Sequence, residues 1–199
     1  HAGEEALNAL MAPHGGFDHN EQTFRVLTML EHRYAGFDGL NLTWETLEGL
    51  LKHNGPLTKE INLSFLPENF DLEIKTHASL EAQIAAIADD IAYDAHDIDD
   101  AIRAGLIEMD QLLTIPLLGA MVNEVKTCWP SLEPARQTHE VQSRLITAMI
   151  TDVIATSKNN IKALAPRNVA DVRHAGRTIV AFSENMARAE KLLKQFLFE

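Results

Sequence analysis

The sequence lacks the features of a secreted or membrane-spanning protein. Cys128 is the one cysteine among 199 residues, so no internal disulfide can form, which is typical of proteins from a reducing compartment. No apolar run approaches the roughly 20 residues that a membrane-spanning helix needs. We therefore expect a cytoplasmic protein with no membrane partner.

Basic residues are also scarce. Lys and Arg total 17 against 29 Asp and Glu, which gives a formal net charge of -12. A charge of this sign repels nucleic acid and anionic lipid at long range, so strong nucleic-acid binding is not expected. A ligand that carries phosphate would need local help, most simply from a bound cation.

Signals for β-strands are nearly absent. Apolar residues instead recur at helical spacing throughout, which predicts an all-α fold, and we expect residues 1–199 to form a single helical domain. Capping and breaker residues predict helices over about residues 2–11, 20–33, 43–53, 79–104, 111–128, 136–164 and beyond 183, with an irregular loop over 57–76.

The segment 79–104 has the clearest helical pattern. Its apolar residues recur at steps of three, four and seven, which places them on one face of a helix. We expect this face in the core; it comprises Leu80, Ile84, Ile87, Ile91, Ala95, Ile98 and Ile102.

A second face of the same helix carries an acidic stripe, formed by Asp89, Tyr93, His96, Asp97 and Asp100. A solvated helix face is one interpretation, although such faces favour Glu and Lys, and Asp is a poor helix former. Like charges one turn apart also repel each other. A bound divalent cation would explain the stripe, because carboxylates are ligands suited to Mg²⁺ or Mn²⁺ and neighbouring imidazoles extend the choice to iron or zinc.

Two further positions near the start of the sequence could take part in chemistry. His1 and Glu4 are three residues apart on the first predicted helix, and a Glu beside a His can transfer protons. Acidic residues favoured by the helix dipole are the alternative explanation. His19 follows Gly15 and Gly16 at a loop-to-helix junction, where free backbone N–H groups can meet an anion or simply be capped.

Five blocks of the sequence carry a resemblance to a known family. They read HAGEEALNALM, GGFDHNEQTFRVLTMLEHRY, FDGLNLTWETLEGLLKHNGPL, EAQIAAIADDIAYDAHDIDDAIRAGL and ADVRHAGRTIVAFSENMARAEKLLKQFLFE. Over essentially its whole length, the chain resembles the bacterial deoxyguanosine triphosphate triphosphohydrolase-like proteins of the HD-domain superfamily. The resemblance implies an HD-domain-like helical bundle. It also implies metal-dependent cleavage of a deoxynucleoside triphosphate (dNTP) at the α-phosphate, which gives a deoxynucleoside and inorganic tripolyphosphate.

The resemblance also implies roles for individual residues. His1 and Glu4 match the catalytic pair, and His19 matches a histidine near the substrate phosphates. On the long helix, Asp89 matches the last ligand of a divalent metal. The same helix carries Tyr93 and Asp97, which match positions that line the nucleotide pocket. The implied partners are a dNTP substrate and further copies of the chain in a homo-oligomer.

The chain departs from the family pattern at the metal. The family's first metal histidine and its HD dipeptide lie upstream of the block with which this sequence begins at His1. An apolar helical pattern still runs at Phe198, so we expect an internal piece of a longer chain, truncated at both ends and corresponding to the C-terminal portion of the enzyme. Because a metal held by Asp89 alone would bind weakly, this piece is predicted to hydrolyse little or nothing.

Three functional hypotheses stay open at this point. The first is the metal-dependent hydrolase of dGTP or other dNTPs. The second is a non-catalytic module that binds nucleotide or assembles into oligomers. The third is another HD-type phosphodiesterase that acts on cyclic nucleotides or monophosphates, against which the quoted blocks argue.

Overall fold

The computed structural model describes residues 2–58, 63, 66 and 70–198. Within these ranges the chain folds into helices and forms no strand, which confirms the predicted all-α class. The residues group into two compact units, the first made of 1–83 with 168–177 and the second of 84–167 with 178–199. The single domain over residues 1–199 stays a prediction.

Eight α-helices are numbered here in chain order within the described residues. They are α1 Ala2–Met11, α2 His19–Arg25, α3 Trp44–Leu51, α4 Leu80–Arg103, α5 Pro116–Cys128, α6 Pro134–Leu164, α7 Val169–Arg173 and α8 Glu184–Phe198. Two 3-10 helices, Ala12–His14 and Met109–Thr114, and one π-helix, Val26–Leu30, complete the helical structure. Most predicted helices are found, whereas α7 was not predicted.

The helix predicted over residues 20–33 ends early. Its α-helical part stops at Arg25, and the π-helix that follows stops at Leu30. The loop that follows turns back and forms hydrogen bonds with the carbonyl groups of this segment. Gly39 N–H donates to Glu31 O and Leu40 N–H donates to Leu27 O, both at 2.8 Å.

The core of the first unit contains Phe24, Leu47, Leu51 and Leu72, all nearly inaccessible to solvent. Partly buried side chains pack around this cluster, among them Leu42, Trp44, Leu57, Leu63, Leu66, Phe70 and Ile74. Several of these belong to the segment predicted as an irregular loop, and its described residues are indeed non-helical.

A charged cluster is buried in the same unit. The Glu48 carboxylate accepts two hydrogen bonds from Arg173, at 2.7 and 2.8 Å, and one from Lys52 Nζ at 3.0 Å. Lys52 also donates to Thr76 Oγ1 at 2.9 Å, and the Arg173 guanidinium lies 4.6 Å from the centre of the Trp44 ring. Buried charges need partners of this kind to offset the loss of hydration.

In the second unit, α4 presents the predicted apolar face. Ile91, Ala95 and Ile98 are buried, with exposed fractions of 6%, 1% and 1%. The prediction is wrong for Ile84, which is 54% exposed although it shares the helical spacing. Periodicity identifies the face of a helix, but it does not show how far along that face packing extends.

Helices α5, α6 and α8 supply most of the remaining buried side chains of the second unit, and the segments between the α-helices add Leu112, Ile115, Ile179 and Val180. Ser183 caps α8 by accepting a hydrogen bond from Met186 N–H at 3.2 Å. Asp152 of α6 holds this cap, because it accepts hydrogen bonds from Ser183 N–H and Oγ, both at 2.7 Å. Of the helices in the described part of the chain, none is long and apolar enough to cross a membrane.

Candidate functional site

A hydrogen-bonded pair in the first unit joins α1 to α2. Glu4 lies in the first turn of α1, and His19 is the first residue of α2. Glu4 Oε1 is 2.6 Å from Nδ1 of His19, and the two side chains are 34% and 53% exposed. Both groups are therefore positioned by the protein and remain open to a ligand.

The hydrogen bond from His19 lowers the pKa of the Glu4 carboxyl below its usual value. Ionised Glu4 accepts the proton carried by Nδ1, so the lone pair of the neutral imidazole lies on Nε2. A ring held in this way can accept a proton at Nε2 and, once protonated, can donate it. The pair has the composition and distance of a proton-transfer group.

The sequence assigned Glu4 a different partner, His1. His1 lies outside the described residues, so this pairing stays a prediction. The sequence did not predict that His19, 15 residues further along the chain, contacts the same carboxylate. The available signal was the Gly15–Gly16 pair, because two successive glycines after a helix allow the chain to turn back.

A second group of predicted site residues lies on α4, in the second unit. Asp89, Tyr93 and Asp97 follow one another at steps of four, so they share one face of the helix. Asp89 is exposed, Tyr93 is 61% exposed and Asp97 is half-buried. This face can offer two carboxylates and a phenol to a ligand.

A charged cluster that the sequence did not predict lies beside this stripe. Lys194 of α8 reaches Asp90 Oδ1 at 3.1 Å, forms an ion pair with Glu190, and lies 3.9 Å from Asp94 Oδ1. Asp94 is 2% exposed, and its Oδ2 atom is buried without a hydrogen-bond partner. Burial raises the pKa of Asp94 to about 7, against the opposing charge of Lys194.

The described residues do not complete a metal site. Asp89 supplies one carboxylate, and the described part of the chain contains no group of three or more His, Cys, Asp or Glu side chains that could hold an ion. Divalent sites use several protein ligands, so the described residues would supply only part of the metal site expected from the resemblance.

Comparison with known proteins gives a consistent set of relatives. A deoxyguanosinetriphosphate triphosphohydrolase-like protein of Azorhizobium caulinodans is 54% identical over 211 residues, which cover 100% of this chain and 53% of that protein. Proteins of the same name from Brucella anthropi and Rhodopseudomonas palustris are 52% and 51% identical, again over 100% of this chain and 52% of each relative. The chain spans about half the length of these curated relatives. No protein-family model matches it.

Proposed function

We propose that the chain forms part of an enzyme that hydrolyses dGTP or other dNTPs to a deoxynucleoside and tripolyphosphate. All of its 199 residues align with the deoxyguanosinetriphosphate triphosphohydrolase-like proteins, of which it is a homologue. The observation that carries this proposal is the contact between Glu4 and His19, at 2.6 Å, within a chain of this similarity. The pair supplies the proton transfer that such a hydrolysis requires.

In the proposed reaction, water attacks the α-phosphorus and the bond to the 5′-oxygen breaks. The attacking water loses a proton, which Nε2 of His19 accepts, and the 5′-oxygen takes up a proton from solvent. Glu4 holds the imidazole in the tautomer that leaves Nε2 free and stabilises the imidazolium that forms. A pair exposed to this extent can reach a substrate without rearrangement of the core.

We assign the exposed face of α4 to the nucleotide. Tyr93 and Asp97 offer a hydroxyl and a carboxylate, which are the groups that hydrogen-bond to sugar hydroxyls and base edges. Asp89 is proposed as one ligand of a divalent ion, with Mg²⁺ or Mn²⁺ as the first choices, because carboxylate oxygens suit hard cations. Because the described residues hold no group of three such ligands, further ligands would have to come from outside them.

A second candidate function is a non-catalytic module that binds nucleotide or assembles with further copies. The observation behind it is the exposed face of α4, where Asp89 and Tyr93 can contact a nucleotide whether or not turnover follows. This module would retain the α4 face without turnover, in keeping with the prediction that these 199 residues alone hydrolyse little or nothing.

The two functions are separated by product analysis. Two proteins are compared: the chain by itself, and the chain joined to the upstream segment that carries the family's first metal histidine and HD dipeptide (the HD segment). Each is incubated with each dNTP and Mn²⁺ or Mg²⁺, and the products are resolved by ion-exchange chromatography. Hydrolase function predicts tripolyphosphate and a deoxynucleoside from the extended protein. If the extended protein binds dNTP but releases no product, the non-catalytic module is favoured. A cyclic nucleotide is added as a further substrate; hydrolysis confined to it, or release of single phosphates from the dNTPs, contradicts both.

A further inference from the structure

The bend between α1 and α2 is held by a side chain of α1. After Met11 the chain makes one 3-10 turn and passes through Gly15 and Gly16, whose φ angles are 101° and 86°. These left-handed conformations favour glycine, and they return the backbone toward α1. The segment that carries His19 therefore runs back along the helix that carries Glu4.

Asn8 contacts the returning backbone directly. Its Oδ1 atom accepts a hydrogen bond from Phe17 N–H at 2.9 Å. The approach is close, because a Cβ atom at Gly16 would lie 2.8 Å from the same Oδ1. Asn8 thus fixes the backbone two residues before His19.

Glu4 and Asn8 lie four residues apart on α1, so they share one helix face. Asn8 binds the backbone at Phe17, and Glu4 binds the ring of His19, two residues further along. Between these points, Asp18 caps α2 by accepting from Asn20 N–H at 2.9 Å and Glu21 N–H at 3.1 Å. The backbone on both sides of His19 is therefore held by side-chain hydrogen bonds.

We propose that Asn8 is the positioning residue of the site, because its amide oxygen fixes the bend at Gly16 and Phe17 and so keeps His19 within hydrogen-bonding distance of Glu4. The functional meaning of this assignment rests on the proposed function of the pair. A hydrogen bond of 2.6 Å is lost after a displacement of about 1 Å, so the bond depends on how the bend is held.

The test follows the bond between Glu4 and His19 by NMR, without substrate. In the wild type, we expect a downfield signal from the proton on Nδ1 of His19 and a Glu4 pKa below its usual value. Asn8→Ala removes the acceptor from the bend. We expect it to abolish the downfield signal and to return the Glu4 pKa toward the usual value for Glu, with no loss of overall helicity.

Three further variants make this result specific. Asn8→Asp keeps an oxygen acceptor at the same distance and should retain the downfield signal. Leu10→Ala makes the same replacement at a position of α1 that is 77% exposed, and should behave as the wild type. If Asn8→Ala does not fold, Asn8→Gln takes its place, since it moves the acceptor by one methylene and should lose the signal in a folded protein.

Persistence of the signal in a folded Asn8→Ala or Asn8→Gln variant would overturn the assignment, and so would its loss in Leu10→Ala. Because no substrate is present, this outcome is independent of product analysis. Release of the wrong products would remove the proposed hydrolysis but leave the role of Asn8 in the geometry intact.

Discussion

Lys194 Nζ lies 3.9 Å from Oδ1 of Asp94, while Oδ2 of the same buried carboxyl has no hydrogen-bond partner. The lysine is shared, because it also contacts Asp90 and Glu190. One ammonium group therefore faces three carboxyl groups where α4 meets α8. Asp94 is the most deeply buried of the three, and this burial raises its pKa to about 7.

This arrangement predicts a pH-dependent stability. A carboxyl whose pKa is higher in the folded state than in the unfolded state binds its proton more tightly when folded, so its stabilising contribution is lost as the pH rises toward 7. Asp94→Asn cannot ionise. The free energy of unfolding of this variant, relative to the wild type, should rise by about 2 to 3 kcal/mol between pH 5 and pH 8.

Urea unfolding at the two pH values measures this difference. Asp100→Asn, which removes an exposed carboxylate from the same helix, serves as the control and should show a much smaller change. Equal changes in both variants would show that Asp94 titrates as an ordinary surface carboxylate.

A second prediction concerns the buried Glu48 carboxylate. Burial opposes its ionisation, but hydrogen bonds from Arg173 and Lys52 outweigh this effect and lower its pKa. Glu48→Ala leaves two cations without their shared anion, which should reduce the free energy of unfolding by about 3 to 5 kcal/mol. Glu45→Ala, at an exposed position of the same helix, should cost less than about 1 kcal/mol. Chemical denaturation of both variants measures the two free energies of unfolding. Similar reductions in both variants would contradict the prediction.

Gly39 and Gly36 form a matched pair for a third prediction. Gly39 has a φ angle of 71°, and a Cβ atom there would lie 2.4 Å from Thr28 O. Gly39→Ala should therefore cost at least about 1 to 3 kcal/mol, since the loop must move away from the π-helix. At Gly36 a Cβ would meet nothing within 4 Å, so Gly36→Ala should change the melting temperature little. Equal melting temperatures for Gly39→Ala and Gly36→Ala would contradict the prediction.

Much of this architecture could be predicted from local sequence. Helix α1 and the bounds of α3 and α4 follow from breakers and caps; Thr43, for example, caps α3 by accepting from Thr46 N–H at 3.3 Å. The π-helix over Val26–Leu30 could not be predicted, because bonds to residues of the returning loop decide its length. Local periodicity contains no information about those bonds.

The candidate site also has one part that local sequence predicts and one part that it does not. Spacing along one helix placed Asp89, Tyr93 and Asp97 on a common face, since helical geometry relates residues four apart. The bond between Glu4 and His19 depends instead on a turn and on Asn8, and the contact of Lys194 with Asp90 joins residues 104 positions apart. Contacts of this kind require the folded chain.

A fourth prediction separates binding from chemistry on α4. If Tyr93 contacts the nucleotide, Tyr93→Phe in the protein that carries the HD segment should raise KM for dGTP by roughly tenfold, the effect of about one lost hydrogen bond, and leave kcat within a few-fold. Tyr34→Phe makes the same change at an exposed tyrosine of the first unit and should alter neither constant. A fall in kcat with unchanged KM would exclude this role for Tyr93.

The most direct measurement is of tripolyphosphate release by the chain joined to the upstream segment that carries the HD dipeptide. The same protein is compared with its Glu4→Gln and Glu5→Gln variants. Both positions lie in the first turn of α1, but Glu4 is the residue that contacts His19. The proposed function predicts that Glu4→Gln lowers kcat by about 100- to 10,000-fold, while Glu5→Gln stays within a few-fold of the wild type. Equal rates for Glu4→Gln and Glu5→Gln, or phosphate products other than tripolyphosphate from the parent protein, would contradict it.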